Sequence, residues 1–338
     1  MMNDASQTTA AAAPRGRLWE IDFARAVAIV LVVIGHWDIG GGEPRWWTAA
    51  VDAIYTFHMP LFLAMSGYLY MYGYKPGRKY FPFLKGKAMR LLVPYFTVSV
   101  IVVTIKCLMQ SVVIVQHPVT AATYVEILYR PAAGRFLWFV WALWWMFVIM
   151  PAFRSRTSRL VLFVAAAVLA YVPRPELGVF CIDEAADMVV WFIAGTLLYD
   201  WREYLPMRSR SMALGAFVLL AALLAAYVCG WQPAEYVIPY VAVYALPAMA
   251  YQWSAHSGGR TRGVMLSLSA ASFMVYLLHT TFEGFVKSLY LRYAPAGDEW
   301  LFALAAIAGV VAGTVVPWWL YAKVFTRFRI TRIMFGLK

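Results

Sequence analysis

Charge is what this sequence has least of. Asp, Glu, Lys and Arg make up 14% of its 338 residues, where an ordinary soluble domain has about 25%. Acidic residues are the scarcer sign, 17 against 29 Lys and Arg. Cysteine is nearly missing: Cys107, Cys181 and Cys229 lie far apart, which excludes a disulfide framework and zinc-ligand spacing. HExxH, a Rossmann fingerprint, a P-loop and GxSxG are all missing as well, which removes the metalloprotease, dinucleotide, nucleotide-hydrolysing and appended serine-hydrolase readings. The Gly-rich run Gly40–Glu43 has no preceding strand and is a turn. No tandem or inverted repeat is visible, which weakens a transporter built from symmetric halves.

What is there is apolar. Hydrophobic residues make up 63% of the chain and aromatics 17%, with a mean hydropathy of +0.66. That composition excludes a soluble globule and a disordered chain, and predicts an all-α, polytopic transmembrane bundle. A hydrocarbon core of about 30 Å takes roughly 20 apolar residues per helix. Ten segments qualify: 20–37, 52–73, 89–110, 135–152, 159–173, 184–200, 211–229, 234–252, 264–286 and 299–322. Pro239 and Pro247 predict a kink or break in the eighth.

A net charge of +12 on a soluble fold would point to nucleic acid. Here the basic residues sit between apolar runs, as topology signals do, and no nucleic-acid partner is expected. With the N-terminus inside, the cytoplasmic loops receive the cluster from Lys75 to Arg90, then Arg154, Arg156 and Arg159, then Arg202, Arg208 and Arg210, then Arg260 and Arg262. Asp38, Glu43, Asp52, Glu176, Asp183, Glu184 and Asp187 fall on the other side. Both termini are therefore predicted to be cytoplasmic. The expected organisation is a disordered tail over 1–14, a ten-helix domain over 15–322 and a basic tail over 323–338.

Charged residues inside spans are costly and are usually functional or paired. The first span carries Asp22, Arg25 and His36. Asp22 and Arg25 share a face and can pair. Arg25 and His36 are about 16 Å apart along a helix and on nearly the same face. One helix thus presents a fixed cation towards the cytoplasm and an imidazole able to accept a proton deeper in. Alone, these residues fit equally a snorkelling arginine and an interfacial histidine.

The second span holds His58, which suits positioning, and Ser66-Gly67, which suits a close helix contact. Arg90 enters the third span beside Lys85 and Lys87 and suits either topology or phosphate binding. Trp138 and Phe139 open the fourth as interface anchors. Ser272, Tyr276, His279 and Glu283 form one polar stripe on the ninth. His117 and His256 fall in loops without a role, and no metal site is expected.

Taken in order, these segments resemble the integral-membrane acyltransferase family 3. The resemblance rests on Arg25 to His36 within DFARAVAIVLVVIGH, on FHMPLF–SGYL at Phe57–Leu69 and on RLLVPY at Arg90–Tyr95. LWF at Leu137–Phe139 and SFMVYLLH at Ser272–His279 complete it. It covers roughly residues 17–285, and the FHMPLF form is similar to the exopolysaccharide O-acetyltransferase branch. It implies an O-acetyltransferase of the bacterial inner membrane that takes acetyl-CoA as donor cosubstrate, holds no permanent cofactor, and acts on a polysaccharide or lipid-linked glycan. Association with a polysaccharide assembly system is also implied.

On this resemblance His36 and Arg25 match the family's essential histidine and arginine, and Arg90 matches the arginine of donor binding. Lys85 and Lys87 would assist Arg90, and Asp38 or Asp52 would orient the imidazole. His58, Ser66, Ser272, Tyr276, His279 and Glu283 would line the substrate path. The competing reading is a transporter that moves a glycan or acyl donor without covalent chemistry.

Overall fold

The computed structural model describes residues 17–110, 119–170, 172–173, 175–295 and 297–337. The tail expected over 1–14, together with Arg15, His117, Arg174 and Lys338, lies outside them. The described chain is all-α, a polytopic membrane bundle in which the expected spans fall on helical structure, the second of them on two successive helices. Helices α1 (Trp19–His36), α2 (Arg45–Tyr55), α3 (His58–Tyr72) and α4 (Tyr80–Met109) come first. A short α5 (Ala121–Glu126) precedes α6 (Trp138–Ile149), α7 (Arg156–Leu169), α8 (Ile182–Trp201) and α9 (Arg210–Val228). The chain then runs through α10 (Ile238–His256), α11 (Gly259–Tyr293), α12 (Glu299–Leu320) and α13 (Arg329–Met334).

Six stretches among the described residues are long and apolar enough to cross a bilayer by themselves: Arg45–Tyr72, Tyr80–Met109, Arg135–Ala152, Arg210–Val228, Gly259–Tyr293 and Glu299–Phe325. Of the others, α1 carries Glu20, Asp22 and Arg25, α8 carries Asp183, Glu184, Asp187 and Asp200, α7 has only 14 residues, and α10 is diluted by Pro, Tyr, Gln, Ser and His. These helices depend on the bundle to cover their polar groups.

Four local outcomes differ from the expectation. The second span is two helices, broken at Thr56–Phe57. Pro60 cannot donate to the carbonyl of residue 56, so a continuous helix would lack that bond, whereas in the first turn of α3 nothing is lost. Conversely, α10 runs unbroken through Pro247, with Pro239 in its tolerated first turn. At 35 residues, α11 is about 52 Å long and outreaches the hydrocarbon core. The segment expected as a basic tail contains α13, which packs on α4 with Phe335 buried.

Small residues set the closest approach in the bundle. A Cβ on Gly67 of α3 would lie 1.9 Å from the Phe192 carbonyl oxygen, and one on Gly195 of α8 would lie 1.8 Å from that of Ala64. In lipid, where burial of apolar surface gives no drive between helices, such backbone proximity supplies the packing. Ser66 turns back on its own helix, its hydroxyl donating to the Phe62 carbonyl at 2.8 Å. Helix α1 is central and packs against α3, α10, α11 and α12. That position places its polar residues inside the bundle.

Candidate active site

Helix α1 meets α11 through two polar rungs. Ser269 donates to the Asp22 carboxylate at 2.8 Å, and Arg25 donates to the Ser272 hydroxyl at 2.8 Å. Both pairs have a spacing of three on each helix, so they stack on adjoining faces. Arg17 also reaches Asp22, at 2.6 Å. Asp22 thus turns to Arg17 and Ser269, and the described bond of the Arg25 guanidinium is to a neutral hydroxyl. A guanidinium has five N–H donors, so a fixed cation with spare donors stands in the basic-loop half of the bundle.

Towards the other end of α1, three of the chain's five histidines gather. The His36 and His279 rings are edge-to-face with centroids 4.9 Å apart. Phe136 lies 5.9 Å from His36 and 5.1 Å from His279, and Tyr55 lies 4.9 Å from His58. Each imidazole is held by its own helix or the one before it. His36 Nδ1 is 2.8 Å from the Val32 carbonyl, His58 Nδ1 is 2.9 Å from that of Ile54, and His279 Nδ1 is 2.7 Å from that of Tyr276. A carbonyl can only accept, so Nδ1 carries the proton, and in the neutral ring Nε2 is left as a proton acceptor.

Among the described hydrogen bonds, none joins the His36 ring to Asp38 or Asp52. Asp38 is exposed and accepts from the Gly40 N–H at 2.5 Å, closing the turn after α1. Asp52 is exposed on α2. The described hydrogen bond on the imidazole is to backbone, the Val32 carbonyl.

His36 and His58 open on a cavity of about 330 Å³ whose walls come from seven helices and the segment leading into α6. Val32, Tyr55, Phe136, Trp138, Met188, Trp191, Pro239 and Tyr276 complete its main surfaces. The Tyr276 hydroxyl donates to the Phe136 carbonyl at 2.6 Å and ties α11 to that segment. The Tyr55 hydroxyl donates to the Gly35 carbonyl at 3.1 Å and holds α2 against α1. Trp138 is therefore a cavity wall, and Phe139 is buried against Tyr276 at 5.5 Å rather than anchoring at an interface. Tyr55, Met188 and Trp191 were not singled out from the sequence. Tyr55, three residues before His58, had a signal in its spacing; Met188 and Trp191 had none.

Behind the cavity, His279 and Glu283 are buried, and His279 Nε2 and both Glu283 carboxyl oxygens have no hydrogen-bond partner among the described residues. Gly313 of α12 makes room for Glu283: a Cβ there would lie 2.9 Å from its Cγ.

The basic residues expected together at the opposite end separate. Lys85 and Arg90 are exposed, whereas Lys87 turns inward with its Nζ 3.6 Å from the Phe147 ring centroid. Among the described residues no group of three or more His, Cys, Asp and Glu side chains is placed to hold a metal ion.

Fold and site together define an integral-membrane protein with an imidazole set on the wall of an aromatic cavity and a fixed cation on the same helix. The acyltransferase 3 profile, described as an acyltransferase domain, matches residues 18–322, so the chain belongs to that family of membrane acyltransferases. It is also 30% identical over 158 residues to the nodulation protein NolL of Mesorhizobium japonicum, a stretch covering 45% of this chain and 40% of that protein. The NolL of Sinorhizobium fredii matches at 30% over 158 residues, covering 45% of this chain and 41% of the relative. The chain thus spans less than half the length of these curated relatives. No solved structure matches it.

Proposed function

We propose that the protein is an O-acetyltransferase of a bacterial inner membrane. It moves an acetyl group from acetyl-CoA to a sugar hydroxyl of a cell-surface or secreted polysaccharide, or of a lipid-linked precursor, in association with a polysaccharide assembly system. The observation that carries this reading is His36, its Nδ1 proton committed to the Val32 carbonyl and its ring on the wall of the 330 Å³ cavity. Such a ring is a general base whose orientation needs no further partner.

In this reading His36 Nε2 takes the proton of the sugar hydroxyl as the oxygen attacks the thioester carbonyl. The new C–O bond forms, the C–S bond breaks, and the proton passes from His36 to the departing sulfur. Acetyl ester and CoA thiol are the products, and no other reactant is required. His58 and Tyr276 line the same cavity and position the acceptor. Arg25, held by Ser272, is the cation on the donor's path, while the exposed Lys85 and Arg90 add long-range attraction for an anionic donor.

Reconstituted protein should release CoA from acetyl-CoA only when an acceptor glycan is present, and His36→Ala should abolish that release while keeping a monodisperse bundle. Retained turnover in a folded His36→Ala would overturn the assignment of the base. Glycan movement across the bilayer without CoA release would favour the transporter.

A further inference from the structure

A second cavity, about 300 Å³, opens at the basic-loop end and takes no part in the chemistry above. It lies between the end of α3, the loop into α4 and the end of α6, and its polar walls are Tyr70, Tyr74, Arg78, Tyr80 and Arg154. Its cations are pre-set. The Arg78 guanidinium donates to the Gly73 carbonyl and lies over the Phe83 and Tyr74 rings, at 4.8 and 6.0 Å from their centroids. Arg154 uses its Nε on the Pro151 carbonyl at 3.2 Å, which leaves its terminal nitrogens for a ligand.

The turn that carries Arg154 is itself clamped. Buried Arg159 donates to the Arg154 carbonyl at 2.8 Å and pairs with Asp200 of α8. The Lys87 amine lies beside the cavity, against Phe147 and Phe83. Asp200 is committed to Arg159, and no acidic side chain lines the cavity. Arg78, Arg154 and Lys87 have no carboxylate partner among the described residues. Two held guanidinium groups on a polar cavity without a counter-charge call for an oxyanion.

We propose that this cavity binds phosphate esters, with Arg78 and Arg154 as direct ligands and the Lys87 amine beside them. Two sources share that chemistry: the phosphates of a CoA thioester and the headgroup of an anionic phospholipid. The first rests on the acetyltransferase reading and the second does not. Geometry accommodates the first, because α3 carries His58 at the upper cavity and Tyr70 at the lower one, about 18 Å apart along the helix. That offset resembles the one between Arg25 and His36 and suits a donor with phosphates at one end and a thioester at the other.

The test uses the full chain in nanodiscs of phosphatidylcholine, with CoA binding measured by calorimetry. Arg78→Gln, Arg154→Gln and the double variant are compared with Arg210→Ala, a basic residue of the same end outside the cavity. Mass spectrometry of lipid retained after purification from phosphatidylglycerol-containing membranes gives the second arm.

Each glutamine variant should weaken CoA binding about tenfold or more, as loss of a charge-assisted bond does, and Arg210→Ala should not. If CoA does not bind even to the wild type, but retained phosphatidylglycerol is lost in the double variant alone, the phosphate site stands and the donor reading fails. CoA affinity and retained lipid both unchanged in a folded double variant would overturn the proposal.

Discussion

Replacing Gly195 by alanine places a methyl group 1.8 Å from the Ala64 carbonyl oxygen and 2.6 Å from its carbon. Carbon contacts relax only beyond about 3.5 Å, so α3 and α8 have to separate by more than about an ångström. Both clashing groups are backbone, and no rotamer change relieves them. Small-to-large changes in packed interiors cost about 1–3 kcal/mol, occasionally more, and a backbone clash belongs at about 3 kcal/mol or above. Gly67→Ala strikes the Phe192 carbonyl from the other side of the same crossing, so the two substitutions should not add.

Gly215→Ala on α9 is the control: a Cβ there meets nothing within 4 Å, and alanine favours the helix by up to about 1 kcal/mol. Thermal unfolding in nanodiscs should therefore rank Gly215→Ala at or above wild type and Gly195→Ala well below it. Turnover should fall with Gly195→Ala, since α3 carries His58 and α8 carries Met188 and Trp191 of the reaction cavity. Equal stability of Gly195→Ala and Gly215→Ala would refute the close backbone crossing.

Asp200→Ala leaves the buried Arg159 without its carboxylate and should destabilise the bundle by about 3–5 kcal/mol, read as a lowered unfolding temperature; a change under about 1 kcal/mol would mean that the pair is dispensable. Tyr95→Phe removes a buried hydroxyl shared between the Ile127 and Arg130 carbonyls, each at 2.9 Å. It should cost about 1–3 kcal/mol and speed amide exchange around residues 127–134, where unchanged exchange would disprove the tether. Ser272→Ala takes away the acceptor that holds Arg25. The KM for acetyl-CoA should rise about tenfold with kcat less affected and Ser272→Thr restoring it, and an unmoved KM would remove Arg25 from the donor's path.

The positions of the helices were legible in the chain itself. A helix crossing a bilayer needs a long apolar run, and the expected runs fall on helical structure, the second of them on two successive helices, because a helix satisfies its backbone hydrogen bonds within the segment itself. The common face of Arg25 and His36, and the stripe from Ser272 to Glu283, follow from helical periodicity within one element. The family signature lay along the chain in the same way.

Relations between elements were not legible. Periodicity says which face a residue occupies but not which neighbour that face meets, so the pairing of Arg25 with Ser272 and the contact of His36 with His279 came only from the packing of α1 on α11. The choice of ring anchor also escaped the sequence: two nearby acids stood as candidates, whereas the Val32 carbonyl, one helical turn back, reaches Nδ1. Basic residues that look alike in one loop separate because α4 turns Lys87 onto Phe147 and leaves Lys85 and Arg90 outside. The cavity, finally, is a property of tertiary structure alone, since its walls are brought together from seven helices and the lead-in to α6, and an aromatic residue in an apolar run carries no mark of whether it faces lipid, core or substrate.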